Sequence, residues 1–117
     1  MTDYIYRLGE FSGSDLLELR RSDFYKERKF LRSDSLYIDD TIFFHFLEGV
    51  FCMVVDTFDM FEDTVITKDQ WRQIMALDIS TIIESEDLEM VREVLRDIDA
   101  WVEDTIKEND AFIVMGV

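Results

Sequence analysis

The chain has 117 residues, 48% of them hydrophobic and 14% aromatic, and its 27 acidic and 12 basic side chains give a net charge of −15. These values fit one domain over residues 1–117 and exclude a disordered acidic tail, which would be too poor in aromatic residues to fold. The charge argues against binding nucleic acid or anionic lipid, because phosphate contacts are made mainly by Lys and Arg.

The cellular compartment is predicted from one cysteine and from the apolar runs. Cys52 has no second cysteine to pair with, which is compatible with a reducing compartment and favours the cytoplasm. The start "MTDYIYRLGE" lacks the cationic and apolar regions of a secretory signal. The most apolar run, residues 42–55, is shorter than the ~20 residues of a membrane span and contains Glu48. We therefore predict no membrane span.

The first third of the chain begins with a predicted strand. Tyr and β-branched residues alternate in "DYIYRL", which is typical of a strand, and Gly9 and Gly13 follow it. The segment "SDLLELRRSDFYKERKFLR" mixes Leu and Phe with charges, and we predict one or two helices that start near Ser12 or Ser14. The next segment, "SDSLYIDD", is predicted to be a connection.

The middle of the chain is its most apolar part. Residues 39–61, "DDTIFFHFLEGVFCMVVDTFDMF", predict a helix covered on several sides, with Asp39 and Asp40 in or near its first turn. Valine and phenylalanine also suit a buried strand after Gly49, so residues 50–56 could be helix or strand. We prefer the helix, which would make His45 a packed core residue.

The last third predicts two helices and a strand. Thr67 and Gln70 form a capping-box pattern, with Ile66 placed to pack on Trp71, so a helix should begin at Lys68. A second, longer helix is predicted from an N-cap at Ser85, with Glu86 and Asp87 in its first turn, to about Glu108. The final "AFIVMGV" is predicted to be a strand.

These elements predict an α+β fold in which helices dominate. Three to four helices would pack on a small sheet formed by the N-terminal and C-terminal strands, because the ends of compact domains often lie close together.

The acidic residues are concentrated in the later part of the chain. Residues 1–35 hold seven basic and seven acidic side chains, so the whole net charge belongs to residues 36–117. On the long predicted helix the apolar side chains form one stripe and the carboxylates face away from it. The stripe contains Leu88, Val91, Leu95, Ile98, Val102 and Ile106, with Trp101 on its flank. The opposite face carries Glu86, Glu93, Asp97 and Asp104.

This acidic helix face is either a solvated surface or a docking site for a basic partner. Ion pairs could join Glu89 to Arg92, Glu93 to Arg96 and Glu103 to Lys107. Glu93 and Asp97, however, are like charges at i,i+4, which costs stability instead of adding it.

The segment "DTFDMFED" supplies a second acidic cluster. Asp56, Asp59, Glu62 and Asp63 surround Met60 and Phe61, an arrangement that resembles an apolar hot spot with a charged rim. The alternative is that Phe58 and Phe61 close the core. We include both acidic groups as candidate partner-binding residues.

The sequence predicts neither a catalytic site nor a metal site. His45 and Cys52 would lie about 10 Å apart along a helix, too far for a catalytic pair. The chain has one Cys and one His, too few for a usual zinc site, and "DTFDMFED" lacks the EF-hand spacing. Carboxylate-only binding of Mg²⁺ or Ca²⁺ stays open. We expect neither enzymatic activity nor a cofactor.

In size, charge and layout the chain resembles the immunity proteins of bacterial polymorphic toxin systems, including contact-dependent growth inhibition. The closing "DIDAWVEDTIKENDAFIVMGV", an acidic helix with Trp101 and then a short apolar strand, is the most characteristic part. The resemblance implies a cytoplasmic protein that binds a toxin domain, commonly a basic nuclease, and blocks it. Two alternatives are a nucleic-acid-mimicking adaptor and a regulatory subunit that associates with itself.

Overall fold

A computed structural model describes residues 4–7, 16–21, 34–59, 61–106 and 110–115. The described residues form five strands and three helices. The strands are β1 (Ile5–Tyr6), β2 (Leu16–Arg21), β3 (Leu36–Asp39), β4 (Thr64–Thr67) and β5 (Ala111–Met115). Helix α1 covers residues 40–52 and joins α-helical Asp40–Ile42, π-helical Phe43–Leu47 and α-helical Glu48–Cys52. Helix α2 is Lys68–Met75, a 3₁₀ turn is Ile79–Thr81, and helix α3 is Leu88–Thr105.

The strands form one antiparallel sheet in the order β1-β3-β2-β5-β4. The C-terminal strand β5 lies between β2 and β4, and among the described strands β1 pairs only with β3, Ile5 opposite Ile38. The prediction that the N-terminal and C-terminal strands pair with each other is therefore wrong. Strand β4 is an edge of the sheet and exposes Val65.

Helices do not dominate the fold, and this part of the predicted fold class is also wrong. Helical residues make up about 48% of the described chain and strands about 24%. Leu16–Arg21, predicted to be helical, is a strand, and the predicted connection contains strand β3. In β2, Leu17 and Leu19 alternate with Glu18 and Arg20, so the sequence carries the period-two pattern of a strand, although the structure buries both sets of side chains. The rest of the predicted helical segment, residues 14–15 and 22–32, lies outside the described residues.

One face of the sheet packs against the helices. Leu17 and Leu19 of β2 belong to the same buried cluster as Phe43 of α1, Trp71 of α2 and Ile98 of α3. Alternate residues of a strand point to opposite faces, so the residues between them in β2 point away from the helices. This other face also buries residues, including Tyr37 and Ile113.

Aromatic rings connect the helices and the sheet through the core. Phe51 of α1 lies 6.0 Å from Trp71, measured between ring centroids, and Trp71 lies 5.8 Å from Phe112 of β5. Phe112 lies 5.7 Å from Trp101 of α3. The two contacts of Phe112 are edge-on, a geometry that adds stability beyond that of the buried area. Two phenylalanines and both tryptophans thus join the three helices to the sheet.

The helix boundaries follow their capping residues. Asp39 accepts hydrogen bonds from the backbone N–H groups of Thr41 and Ile42, so α1 begins where predicted. It ends at Cys52, not near Phe61, and residues 50–52 are helix, not strand.

The capping box that was predicted for α2 is present. Gln70 N donates to Thr67 Oγ1 at 3.1 Å and Thr67 N donates to Gln70 Oε1 at 2.9 Å. In contrast, α3 begins at Leu88 instead of directly after Ser85, so Glu86 lies in the preceding turn. The last helical residue is Thr105, and residues 107–109 lie outside the described residues.

Candidate partner-binding surface

The connection from α1 to β4 exposes an aromatic side chain among carboxylates. We call Asp56, Asp59, Phe61, Glu62 and Asp63 the loop patch. All five residues are exposed, and Phe61 is 67% accessible to solvent. An apolar ring within a charged rim has the composition of a binding hot spot.

The conformation of this loop follows from two local features. The ring of Phe58 turns inward and lies 5.4 Å from that of Phe51 and 5.7 Å from that of Phe43, so Phe58 is core, as the alternative interpretation predicted. Asp59 then reverses the chain, because its Oδ1 accepts from Phe61 N at 2.9 Å and its carbonyl accepts from Glu62 N at 3.1 Å. Phe61 is therefore directed outward. Met60 lies outside the described residues.

The second candidate surface is the solvent side of α3. Glu93 and Asp104 are exposed on the helix, and Glu86 is exposed in the turn before it. Asp97, in contrast, is only partly exposed to solvent, and it makes a further interaction within the fold. The reason is that the buried face of α3 includes Val94 as well as four residues of the predicted stripe, Val91, Leu95, Ile98 and Val102. Of the other two, Leu88 is only partly buried and Ile106 is buried but follows the helix.

Burial of Val94 and Trp101 turns the core face of α3 toward the side on which Asp97 lies. The four predicted site residues are thus not equivalent. We call Glu86, Glu89, Glu93, Glu103 and Asp104, all exposed, the helix face.

Two of the three ion pairs that were predicted on α3 do not form. Within the described residues, neither Glu89 nor Glu93 lies within 4.0 Å of the guanidinium groups of Arg92 or Arg96. The third, Glu103 with Lys107, includes a residue outside the described ones. The helix face therefore keeps its negative charge largely uncompensated by neighbouring side chains.

The loop patch and the C-terminal end of α3 lie at different ends of β4. The loop patch precedes the first residue of β4. At the other end, Lys68 follows the strand, and its Nζ donates to the carbonyl of Ile106, directly after α3, at 3.1 Å. Four residues of strand span on the order of 10 Å, so the loop patch and the C-terminal end of α3 are separate.

Cys52 and His45, which the sequence does not predict to be a catalytic pair, lie in different surroundings. Burial and then the nearby carboxylates of Glu48 and Asp59 raise the pKa of the Cys52 thiol, which opposes formation of the nucleophilic thiolate. His45 is exposed, so its prediction as a packed core residue is wrong. Its ring contacts Phe44 edge-on at a centroid distance of 5.4 Å.

A buried charged network, which the sequence did not predict, lies on the sheet face away from the helices. Arg20 donates to Glu18 twice, from Nε to Oε2 at 3.0 Å and from Nη2 to Oε1 at 2.8 Å. Ser35 Oγ donates to the same Oε2 at 2.6 Å. Glu18 and Ser35 are fully buried and Arg20 is 1% exposed. Both oxygens of Glu18 are thus occupied, and the network joins β2 to the residue before β3.

The described part of the chain contains no group of three or more His, Cys, Asp or Glu side chains arranged to hold a metal ion. In the same residues, no helix combines the length and the apolar character that crossing a membrane requires. No protein-family model matches the chain, and no curated protein or solved structure matches it either.

Proposed function

We propose that the protein binds a basic protein partner, with the loop patch as the contact that anchors it. The observation that carries this proposal is Phe61, a large apolar side chain that is 67% exposed among four exposed carboxylates. Exposing an aromatic ring to water has no benefit for the isolated fold, whereas burial of such a ring against a partner is favourable. The carboxylates around it would select a partner with lysine or arginine at the matching positions.

The helix face supports the same partner chemistry through long-range attraction. Its carboxylates add to a net charge of −15, and Glu89 and Glu93 are not neutralised by the neighbouring arginines. A field of one sign raises the rate at which a partner of the opposite sign associates, and salt screens that effect. We assign anchoring to the loop patch and attraction to the helix face.

The resemblance to immunity proteins suggests which basic protein the partner is. The partner would be a toxin domain, commonly a basic nuclease, and the complex would form in the cytoplasm and block the toxin's active site or substrate groove. A toxin gene beside the gene for this chain is required by the proposal. The direct test is coexpression of this chain with the toxic domain encoded there, with cell survival as the readout.

The anchoring role is tested with a pair of exposed phenylalanines. Phe61→Ala should weaken binding of the toxin domain about thirty-fold, mainly through faster dissociation, as expected for a hot-spot residue. Phe44→Ala is the matched control, because Phe44 is 51% exposed but lies on α1 outside the loop patch. Equal effects of the two variants on the dissociation constant would contradict anchoring by the loop patch.

The attraction by the helix face is tested with two variants that change the net charge equally. Glu93→Lys with Asp104→Lys reverses two helix-face charges, and Asp56→Lys with Glu62→Lys reverses two loop-patch charges; all four side chains are exposed. The helix-face variant should lower the association rate about ten-fold at low salt and flatten its dependence on salt. The loop-patch variant should also speed dissociation. If both variants bind and protect as the wild type does, neither surface is the docking site.

A further inference from the structure

A small cavity lies between α2 and α3, beside the helix face and apart from the loop patch. It has a volume of about 150 Å³ and is open on one side. Its aliphatic lining includes Ile74 from α2, Ile79 from the 3₁₀ turn and Leu95 from α3, all buried. A cavity of roughly this size lined by aliphatic side chains accommodates benzene in another protein. The volume thus suits an apolar group of about six carbon atoms.

Two arginines of α3 line the same cavity. Arg92 and Arg96 are one helical turn apart, so their side chains leave the same side of the helix. Within the described residues, neither makes an ion pair or a hydrogen bond, although Glu89 and Glu93 are their neighbours on the helix. Both guanidinium groups therefore keep their hydrogen-bond donors available to a ligand, and each can hold a carboxylate with two of them.

One carboxylate, Asp78, also lines the cavity. Its Oδ1 accepts from the backbone N–H of Ser80 at 3.2 Å and from the Ser80 hydroxyl. The pKa of Asp78 is lowered, chiefly by the hydrogen bond from the Ser80 hydroxyl, then by the bond from the Ser80 backbone N–H, and also by the charge of Arg92. Asp78 is therefore ionised at neutral pH. The lining holds two cations and one anion. It is net positive, whereas the whole protein carries −15.

We propose that this cavity binds a small aliphatic carboxylate, with the carboxylate on Arg92 and Arg96 and a chain of about six carbons among Ile74, Ile79 and Leu95. The aliphatic lining selects the apolar chain, and the unpaired arginines select the negative head group. Asp78 opposes an anion close to it, so the carboxylate of the ligand should lie on the side of the cavity away from Asp78. This site is independent of the proposed binding of a basic protein.

Hexanoate is the probe, with 1-hexanol and hexylamine as ligands of similar length and different head groups. Binding is followed by NMR of the isoleucine and leucine methyl groups, titrated to tens of millimolar. Hexanoate should shift the methyl signals of Ile74, Ile79 and Leu95 in a saturable way. It should bind about ten-fold or more tightly than either analogue, the difference expected for hydrogen bonds to a charged group.

Arg96→Gln and Arg92→Gln should each weaken hexanoate binding about ten-fold and leave 1-hexanol binding unchanged. Both residues are exposed, so the fold should tolerate the changes. Arg72→Gln is the matched control, because Arg72 is an exposed arginine of α2 that does not line the cavity. Absence of saturable methyl shifts, equal affinity for hexanoate and 1-hexanol, or equal affinity of wild type and both arginine variants would each overturn the proposal.

Discussion

Glu18 and Arg20 form a buried ion pair in the sheet, and burying their charges costs free energy that their hydrogen bonds must offset. Removing two opposite charges from water is unfavourable, and the fold offsets this only because the pair makes two hydrogen bonds and Ser35 supplies a third. Such a network contributes less to net stability than its contacts suggest. Losing one partner, however, removes the opposite charge that the buried partner faces, which costs more than the pair contributes.

We therefore expect Glu18→Gln to lower the free energy of unfolding by about 3 to 5 kcal/mol, because the Arg20 guanidinium would stay buried beside a neutral amide. Chemical denaturation followed by circular dichroism measures this loss. Glu103→Gln, on the exposed side of α3, is the control and should change stability by less than about 0.5 kcal/mol. Similar losses of unfolding free energy in the two variants would contradict a stabilising role for the ion pair of Glu18 with Arg20.

Among the elements, α2 and α3 are joined by two side-chain hydrogen bonds, one within the helices and one at their ends. Trp71 of α2 donates from Nε1 to Asp99 Oδ1 of α3 at 2.8 Å. Lys68, the first residue of α2 and only 8% exposed, donates to the carbonyl of Ile106. A cation at the start of a helix opposes the helix dipole, but the same cation at the end of another helix is favourable. Lys68 therefore stabilises α3 more than its own helix.

Lys68→Met keeps most of the aliphatic stem and removes the ammonium group. We expect a loss of about 1 to 2 kcal/mol, since a charged hydrogen bond is lost while the unfavourable charge at the start of α2 is relieved. Hydrogen exchange should accelerate in the last turn of α3 specifically. Arg72→Met is the control, because the ion pair of Arg72 with Asp69 is exposed and contributes little. Unchanged exchange at the end of α3 would contradict this role of Lys68.

For the whole molecule, the dominant feature is the excess of negative charge. The charges that we propose attract a basic partner also repel one another in the isolated protein. The helix face keeps Glu89 and Glu93 without ion pairs to neighbouring arginines, so it adds to this repulsion. Binding and stability thus make opposite demands on the same side chains.

Thermal unfolding across a NaCl series tests this repulsion. Added NaCl should raise the Tm, because screening relieves repulsion more in the compact state than in the expanded unfolded state. The variant Glu93→Lys with Asp104→Lys has less charge to screen, so its Tm should start higher and rise less with NaCl. A Tm that falls with added NaCl, or a steeper rise in the variant, would contradict the argument.

Local chemistry in the sequence determined several features of the fold and of the candidate site. The start of α2 was predictable because a capping box needs only Thr67 and Gln70, three residues apart. The terminal strand and the apolar side of α3 were predictable because each depends on a short periodic pattern. The candidate acidic residues were also identified from sequence, and all except Asp97 are exposed.

Only the tertiary structure decided which strands meet and which side chains they bury. Strands β2 and β3 lie inside the sheet although their segments are short or rich in charge, because pairing joins residues that are far apart in sequence. The burial of Glu18 depends on Arg20 and Ser35 being brought together, which no local pattern indicates. Likewise, Arg92 and Arg96 face a cavity only because α2 packs against α3. Local patterns determine where an element begins, whereas contacts between elements determine which of its faces stays in water.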